Sequence, residues 1–218
     1  MREPLLAIEG ALGGFSVALL NHGKVDAAQL AGNAALEEGL GVVGSVLRSA
    51  SLRLSDLGGI AVGTGPGGFT GLRIAISFAK SLALGSRRPL AAVSSFDIID
   101  AAAGAEMRLP RLTIVSGRTG IICARRIDRD GTRIACGPTE PTLARIMDGG
   151  DSLVTIVGAT EDVRRVILER EMHVEIVPAG QELAASVLAQ IALARPPALS
   201  LHAVAPDYGE IPAVKPIA

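Results

Sequence analysis

Three strand-like, largely apolar runs occupy residues 5–31, in Leu5-Leu-Ala-Ile-Glu9, Phe15-Ser-Val-Ala-Leu19 and a third run ending near residue 31, with breaks at Gly10 to Gly14 and at Asn21-His22-Gly23. This pattern predicts three strands joined by tight turns. From about Ala34 to Ala50 the apolar spacing becomes helical, and an apolar run at 58–63 then predicts a strand. A glycine-rich turn, Gly63-Thr-Gly-Pro-Gly-Gly-Phe-Thr-Gly71, leads into a helix at 70–86 and a strand at 90–94. The second half repeats the order more weakly. Leu112 to Val115 and Ile121 to Ile127 alternate as strands, Asp130-Gly131 turns the chain, and Pro141 to Met147 reads as a short helix before a strand at Val154 to Val157. Helices at 160–171 and 181–194 are predicted to flank a strand at 173–177.

Three hairpin strands followed by helix, strand, helix and strand, occurring twice, define an α/β chain with the plan of the actin-like, Hsp70-like ATPase (ASKHA) fold. Two similar βββαβαβ-type subdomains are expected, 1–104 and 105–218, dividing near Ala101 to Met107. The repeat is architectural, without residue-level self-similarity.

In the glycine turn, Gly65, Pro66, Gly67 and Gly71 set backbone shape, since glycine admits positive φ and close approach while proline fixes φ. Thr70 is expected to cap the helix, and either an anion or another backbone could lie before it. A Walker A loop is excluded, because Phe69-Thr70-Gly71 stands where Gly-Lys-Ser/Thr is needed. Gly63, Gly65 and Gly68 match Gly-x-Gly-x-x-Gly, with Asp97 loosely placed as a ribose-binding acid. Against that reading, Pro66 removes an amide that a pyrophosphate would use.

Composition narrows the classes. Twenty-one basic against 22 acidic residues, one tyrosine and four phenylalanines give neither the charge nor the stacking surface for direct nucleic-acid recognition. The cluster Arg125, Arg126, Arg129 and Arg133, with Asp128 and Asp130 between, reads as the exposed side of a hairpin. Charges interrupt every long apolar run, so a soluble, cytoplasmic protein without membrane contact is expected. Cys123 and Cys136 read as buried thiols, and His22, His173 and His202 form no pair at metal-ligand spacing. Ser94-Ser95 and Ser116-Gly-Arg118 have no base assigned by spacing. No metal, cofactor or catalytic residue is expected.

Gly65-Pro-Gly-Gly-Phe-Thr-Gly-Leu-Arg73 resembles the Gly-Pro-Gly-Ser-Phe-Thr-Gly-Leu-Arg signature of the TsaB (YeaZ) family, differing at Gly68. The first strand and Phe15-Ser-Val-Ala-Leu19 are similar to that family's opening, and Arg118 falls where the family has Asp-Ala-Arg. There are departures. Glu9-Gly-Ala replaces Asp-Thr-Ser, Ser116-Gly117 replaces Asp-Ala, and Pro206-Asp-Tyr208 is followed by Gly209-Glu210 instead of Leu-Arg. In nucleotide-binding members of the fold the first-strand acid handles metal and phosphates; Glu9 is therefore a weakened nucleotide site or a solvent-facing strand-end acid.

Two helices point to a protein partner. Interior glycines destabilise the helix at 34–50 by about 1 kcal/mol each, and Gly41, Gly44 and Ser45 would make a flat contact for another helix. The helix at 70–86 is apolar nearly all round, apart from a stripe through Arg73, Ser77, Lys80 and Ser81. Arg73 is expected to have a carboxylate or carbonyl partner, since it opposes the helix dipole. The two helices could pack on each other within the chain or build a subunit interface, and the resemblance implies the interface. It further implies a non-catalytic scaffold in the formation of N6-threonylcarbamoyladenosine in tRNA. Its partners would be a TsaD-like catalytic subunit, a TsaE-like ATPase and a second copy when isolated, with tRNA contacted only indirectly. The alternatives are a stand-alone actin-fold kinase or ATPase, and a nicotinamide-dependent oxidoreductase.

Overall fold

A computed structural model describes residues 1–30, 34–104, 108–148, 153–178 and 180–209. Part of the expected boundary segment, residues 105–107, and the tail position Glu210 lie outside the described residues.

The first sheet contains β1 (Leu5–Glu9), β2 (Phe15–Asn21), β3 (Lys24–Leu30), β4 (Gly59–Gly63) and β5 (Leu90–Val93), in the order β3-β2-β1-β4-β5. Its strand pairs β1–β2 and β2–β3 are antiparallel, and β1–β4 and β4–β5 are parallel. Parallel neighbours need crossovers, and the helices supply them. Helix α1 (Ala35–Ser49) connects β3 to β4, and α2 (Phe69–Ser86) connects β4 to β5. The second sheet repeats the plan with β6 (Arg111–Arg118), β7 (Ile121–Asp128), β8 (Gly131–Pro138), β9 (Val154–Val157) and β10 (Val174–Val177), ordered β10-β9-β6-β7-β8. Helices α4 (Thr139–Met147) and α5 (Glu161–Glu169) are its crossovers. Twice-repeated order of this kind is the actin-like fold expected from the sequence.

Period-two alternation decides which helix covers which face. Leu6, Ile8, Val17, Leu19, Ile60 and Val62 face Val43, Val46 and Leu47 of α1 and Leu72, Ile76 and Ala79 of α2. Leu5, Ala7, Ala18, Ala61 and Ala91 face the opposite way, and these small side chains admit a helix at close range. That helix is α6 (Ala184–Ala192), with Ala185, Leu188, Ala189 and Ala192 buried. The sequence places this helix beside the strand at 173–177; the fold instead carries it back onto the first sheet, where it contacts β1, β2, β3, β4 and β5. Its complement of alanines fits the alanine-rich sheet face and no other. In the second sheet, Leu112, Ile114, Ile122 and Ile156 pack beneath Leu143 and Ile146 of α4 and Val163, Val166 and Ile167 of α5.

Helix α3 (Ser95–Ala102) is absent from the expected elements. Ser94 is its N-cap, with Oγ accepting from the Phe96 amide at 3.2 Å. This is the signal that was present in Ser94-Ser95. The helix lies against both α6 and β6, so it joins the two sheets. Charges tighten this join: Arg125 of β7 donates to Asp97 at 2.7 Å and Asp100 at 2.9 Å, Arg111 pairs with Asp100 at 3.0 Å, and Arg195 pairs with Asp97 at 2.7 Å. Arg125 also lies 5.1 Å over the Phe96 ring. Two expectations are thereby corrected. Asp97 is an ion-pair partner in α3 and not a ribose-binding acid, and of the four arginines read as an exposed hairpin side only Arg129 and Arg133 are exposed, whereas Arg125 and Arg126 turn inward. Arg126 is 4% exposed and donates to Asp128 and to the Ile146 carbonyl.

Removing a buried charge leaves its partners unpaired, whereas exposed pairs contribute little. Arg125→Ala should lower unfolding free energy by about 3 kcal/mol, and Arg165→Ala, whose partners are exposed carboxylates, by less than about 0.5 kcal/mol. Urea denaturation of the two variants measures the difference.

Candidate functional site

The glycine turn sits at the centre of the first sheet's carboxyl edge, and its glycines are explained by contact with another turn of the same chain. A Cβ at Gly71 would stand 2.1 Å from the Gly10 carbonyl oxygen, and one at Gly10 would stand 2.3 Å from the Gly71 carbonyl oxygen. Gly67, at φ +151°, would place a Cβ 2.4 Å from the Ala11 carbonyl oxygen. The Gly68 amide donates to that same oxygen at 2.9 Å. The β1–β2 turn is therefore pressed directly onto residues 67–71, backbone to backbone. Of the two occupants the sequence allowed before this helix, the structure supplies a backbone from within the chain. Gly65 carries two more attachments: its carbonyl accepts from the Ser95 amide at 2.7 Å, and a Cβ would meet the Asp207 carbonyl oxygen at 2.3 Å.

Helix α2 begins at Phe69 with Gly68 as its N-cap. Thr70 consequently lies inside the first turn, exposed, and is not the cap expected from the sequence. Arg73 also departs from expectation. Among the described residues it has no carboxylate or carbonyl partner; its guanidinium lies 5.3 Å over the Phe69 ring.

Glu9 ends β1 fully buried, which corrects the solvent-facing reading. Its Oε1 accepts from the Ala11 amide at 2.8 Å and its Oε2 from the Leu12 amide at 3.0 Å. Burial pushes the carboxyl up from 4.5 to about 7, opposed by the amides of Ala11, Leu12 and Gly10. The carboxylate thus occupies turn amides that could otherwise face an anion.

Beside the β6–β7 turn lies a cavity of about 300 Å³ lined by residues that include Ser116, Arg118, Thr119, Thr139, Thr160 and Asp162. Its hydroxyls and guanidinium are compatible with a polar ligand. Among the described residues no three His, Cys, Asp or Glu side chains gather where a metal could be held. No described helix is long and apolar enough to cross a membrane.

Outside the turn, α1 and α2 lie side by side on the sheet, joined where Gly39 meets the rings of Phe15 and Phe78. The intramolecular contact therefore uses Gly39 and leaves Gly41 and Ser45 exposed and Gly44 half-buried. Ser77 and Ser81 are exposed and Lys80 is half-buried. Large apolar side chains share these outer faces: Leu36 is 67% exposed, Leu40 51%, Phe69 51% and Leu84 71%. Sequence reasoning named the small residues, placed Phe69 only in the glycine turn and missed the three leucines, although Leu36, Leu40, Val43 and Leu47 follow at spacings of four, three and four, which sets the exposed pair at the edge of the buried face of α1.

The cysteines are also corrected. Cys123 and Cys136 face each other across β7 and β8 and are joined as a disulfide. Their spacing of 13 residues is non-committal until the hairpin aligns them.

This geometry is that of an actin-fold chain whose β1–β2 turn is filled by its own carboxylate. The chain belongs to the family described as TsaD, tRNA N6-adenosine threonylcarbamoyltransferase, which matches residues 29–194, and within it to the TsaB/YeaZ group. It is similar to the tRNA threonylcarbamoyladenosine biosynthesis protein TsaB of Escherichia coli K12, 40% identical over 92 residues, covering 42% of this chain and 40% of that one. The protein of the same description from Buchnera aphidicola subsp. Schizaphis graminum is 30% identical over 108 residues, covering 49% and 51%. The chain spans about half the length, or less, of the curated relatives it matches. The structure of YeaZ from Pseudomonas aeruginosa superposes with a TM-score of 0.68 at 25% identity, covering 94% of this chain and 98% of that chain.

Glu9 gives a signed pH dependence. Between pH 4.5 and about 7 the folded chain holds a proton that the unfolded chain has released, so stability should fall as pH rises through that window. The loss is on the order of 3 kcal/mol. Urea midpoints measured across the window should slope downward for the wild type, and this component of the slope should vanish in Glu9→Gln.

Gly67→Val should cost at least about 3 kcal/mol, since it combines a disfavoured φ with overlap on the Ala11 carbonyl. Thr70→Ala should change stability by less than about 0.5 kcal/mol. Both are read from denaturation curves.

Proposed function

We propose that this chain is a non-catalytic, TsaB-like subunit of the assembly that forms N6-threonylcarbamoyladenosine in tRNA, working beside a TsaD-like catalytic subunit. The observation that carries the reading is the outer surface of α1 and α2. Leu36 and Leu40 of α1 and Phe69 and Leu84 of α2 are exposed, and α1 also carries the small Gly41, Gly44 and Ser45, on the two helices that pack over one face of the first sheet. Small residues let a partner's helix come close, and the leucines and Phe69 supply apolar area to bury against it. Family membership and the TsaB relatives give that surface its candidate partner. A TsaE-like ATPase would join the pair, and tRNA would be held mainly by the partner, because this chain's net charge is −1. The isolated chain would self-associate through the same surface and have no turnover of its own.

A second reading, stand-alone nucleotide binding, is favoured only by the cavity beside Arg118, and the occupied amides at Glu9 oppose it. Calorimetry with ATP and an ATPase assay on the purified chain separate the two readings. Robust ATP hydrolysis by the chain alone would overturn the scaffold assignment.

Gly41→Glu and Ser45→Glu each set a carboxylate into the helix seam without a partner. The expected loss is about 3 kcal/mol of association free energy, or roughly a hundredfold in Kd, for the homodimer and for the TsaD-like partner alike. Sedimentation velocity and co-purification measure it, with circular dichroism unchanged. In cells relying on the variant chain, tRNA digests should show less threonylcarbamoyladenosine. Variants that associate and support modification as the wild type does would remove α1 from the interface.

A further inference from the structure

The disulfide and Gly209 meet beside Pro66 of the glycine turn, and the scaffold reading uses neither. Cys123 is buried against Phe96 and Val115, while Cys136 on the outer strand is half-buried. Gly209 lies flat on the pair: a Cβ there would be 2.1 Å from Cys123 Sγ, 2.8 Å from Cys136 Sγ and 3.2 Å from Pro66 Cβ. From this point the tail runs back along the glycine turn. The Gly209 amide donates to Asp207 Oδ1 at 2.9 Å, the Asp207 amide donates to the Thr64 carbonyl at 2.7 Å, and the Tyr208 ring rests 4.8 Å from the Phe69 ring. A covalent bond on the second sheet thus supports a segment attached to the first.

We propose that Cys123 and Cys136 form a thiol–disulfide switch that docks residues 205–209 on the glycine turn when oxidised and releases them when reduced. Two bonded sulfurs occupy less room than two thiols in van der Waals contact. Phe96 and Val115 close the space behind Cys123, so the added volume is taken on the Gly209 side. Val204 stays buried in the core of the first sheet, and residues 205–209 beyond it keep one hydrogen bond to Thr64 and the packing of the Tyr208 ring on Phe69 and the core edge, few enough contacts to open locally without unfolding either sheet.

The reductant is a dithiol. Its thiolate attacks Cys136 Sγ, the more accessible sulfur; the Sγ–Sγ bond breaks, and its electron pair leaves on Cys123 Sγ, which takes a proton. The second thiol of the reductant then displaces Cys136 as a thiol. The protein has gained two electrons and two protons, and the reductant has become its own disulfide.

The chain contains one tyrosine and no tryptophan, so its ultraviolet emission reports Tyr208 alone. The experiment compares air-equilibrated chain with chain held in dithiothreitol, following thiol alkylation by intact mass, Tyr208 emission and hydrogen exchange of residues 205–209. Expected are no alkylation before reduction and two alkylated sites after it. Exchange at the Asp207 amide should rise about tenfold, and Tyr208 emission should shift. The Cys123→Ser, Cys136→Ser double variant should behave as the reduced chain in both buffers; if it does not fold, the wild-type comparison decides alone. Two free thiols in the air-equilibrated chain, or equal exchange and emission in both states, overturn the switch. No readout requires a TsaD-like partner, so failure of the switch and failure of the scaffold reading are distinguishable.

Discussion

Everything at the carboxyl edge of the first sheet depends on the approach of two backbones, at Gly10 and Gly71. Neither position can carry even a methyl group, because each would drive it into the other's carbonyl oxygen. This contact fixes the β1–β2 turn against the start of α2, and the Gly68 amide bound to the Ala11 carbonyl holds it in register. Once those turns are joined, α2 has a defined origin, β5 follows beside β4, and Gly65 is placed to receive both α3 and the tail. The glycines are thus a packing device within the chain.

Burial of Glu9 follows from the same approach. The β1–β2 turn folds over the end of β1, Gly63 leaves room beside the carboxylate, and the turn's amides converge on its oxygens. Here one residue both satisfies the turn and fills the place an anion would occupy, at the cost of a carboxyl whose charge is disfavoured near neutral pH.

The join between the sheets has a different physical character. It consists of α3 and α6, with arginines and aspartates interleaved where Asp97 and Asp100 meet Arg111, Arg125 and Arg195. Charges at this depth specify orientation more than they add stability, because desolvation offsets much of their attraction. The outer faces of α1 and α2 have no such obligations within the chain: Leu36, Leu40 and Leu84 stay exposed, and Phe69 is only partly covered by Tyr208 and Arg73.

The apolar runs by themselves determined the order of the strands along the chain and the helices between them apart from α3, because periods of two and 3.6 are local properties. The glycine signature likewise announced an unusual turn before α2. What the turn meets was decided only in three dimensions: a strand-end acid reads the same whether solvent or its own turn receives it, and Glu9 turned inward. Cys123 and Cys136 become neighbours only when β7 and β8 align. Asp97 and Arg125 are 28 residues apart, and no local period brings them together. Helix α6 follows β10 in sequence yet belongs to the first sheet, since its small side chains fit the alanine face there. Sequence fixes what is periodic within a segment; contacts between distant segments depend on how their faces close on one another.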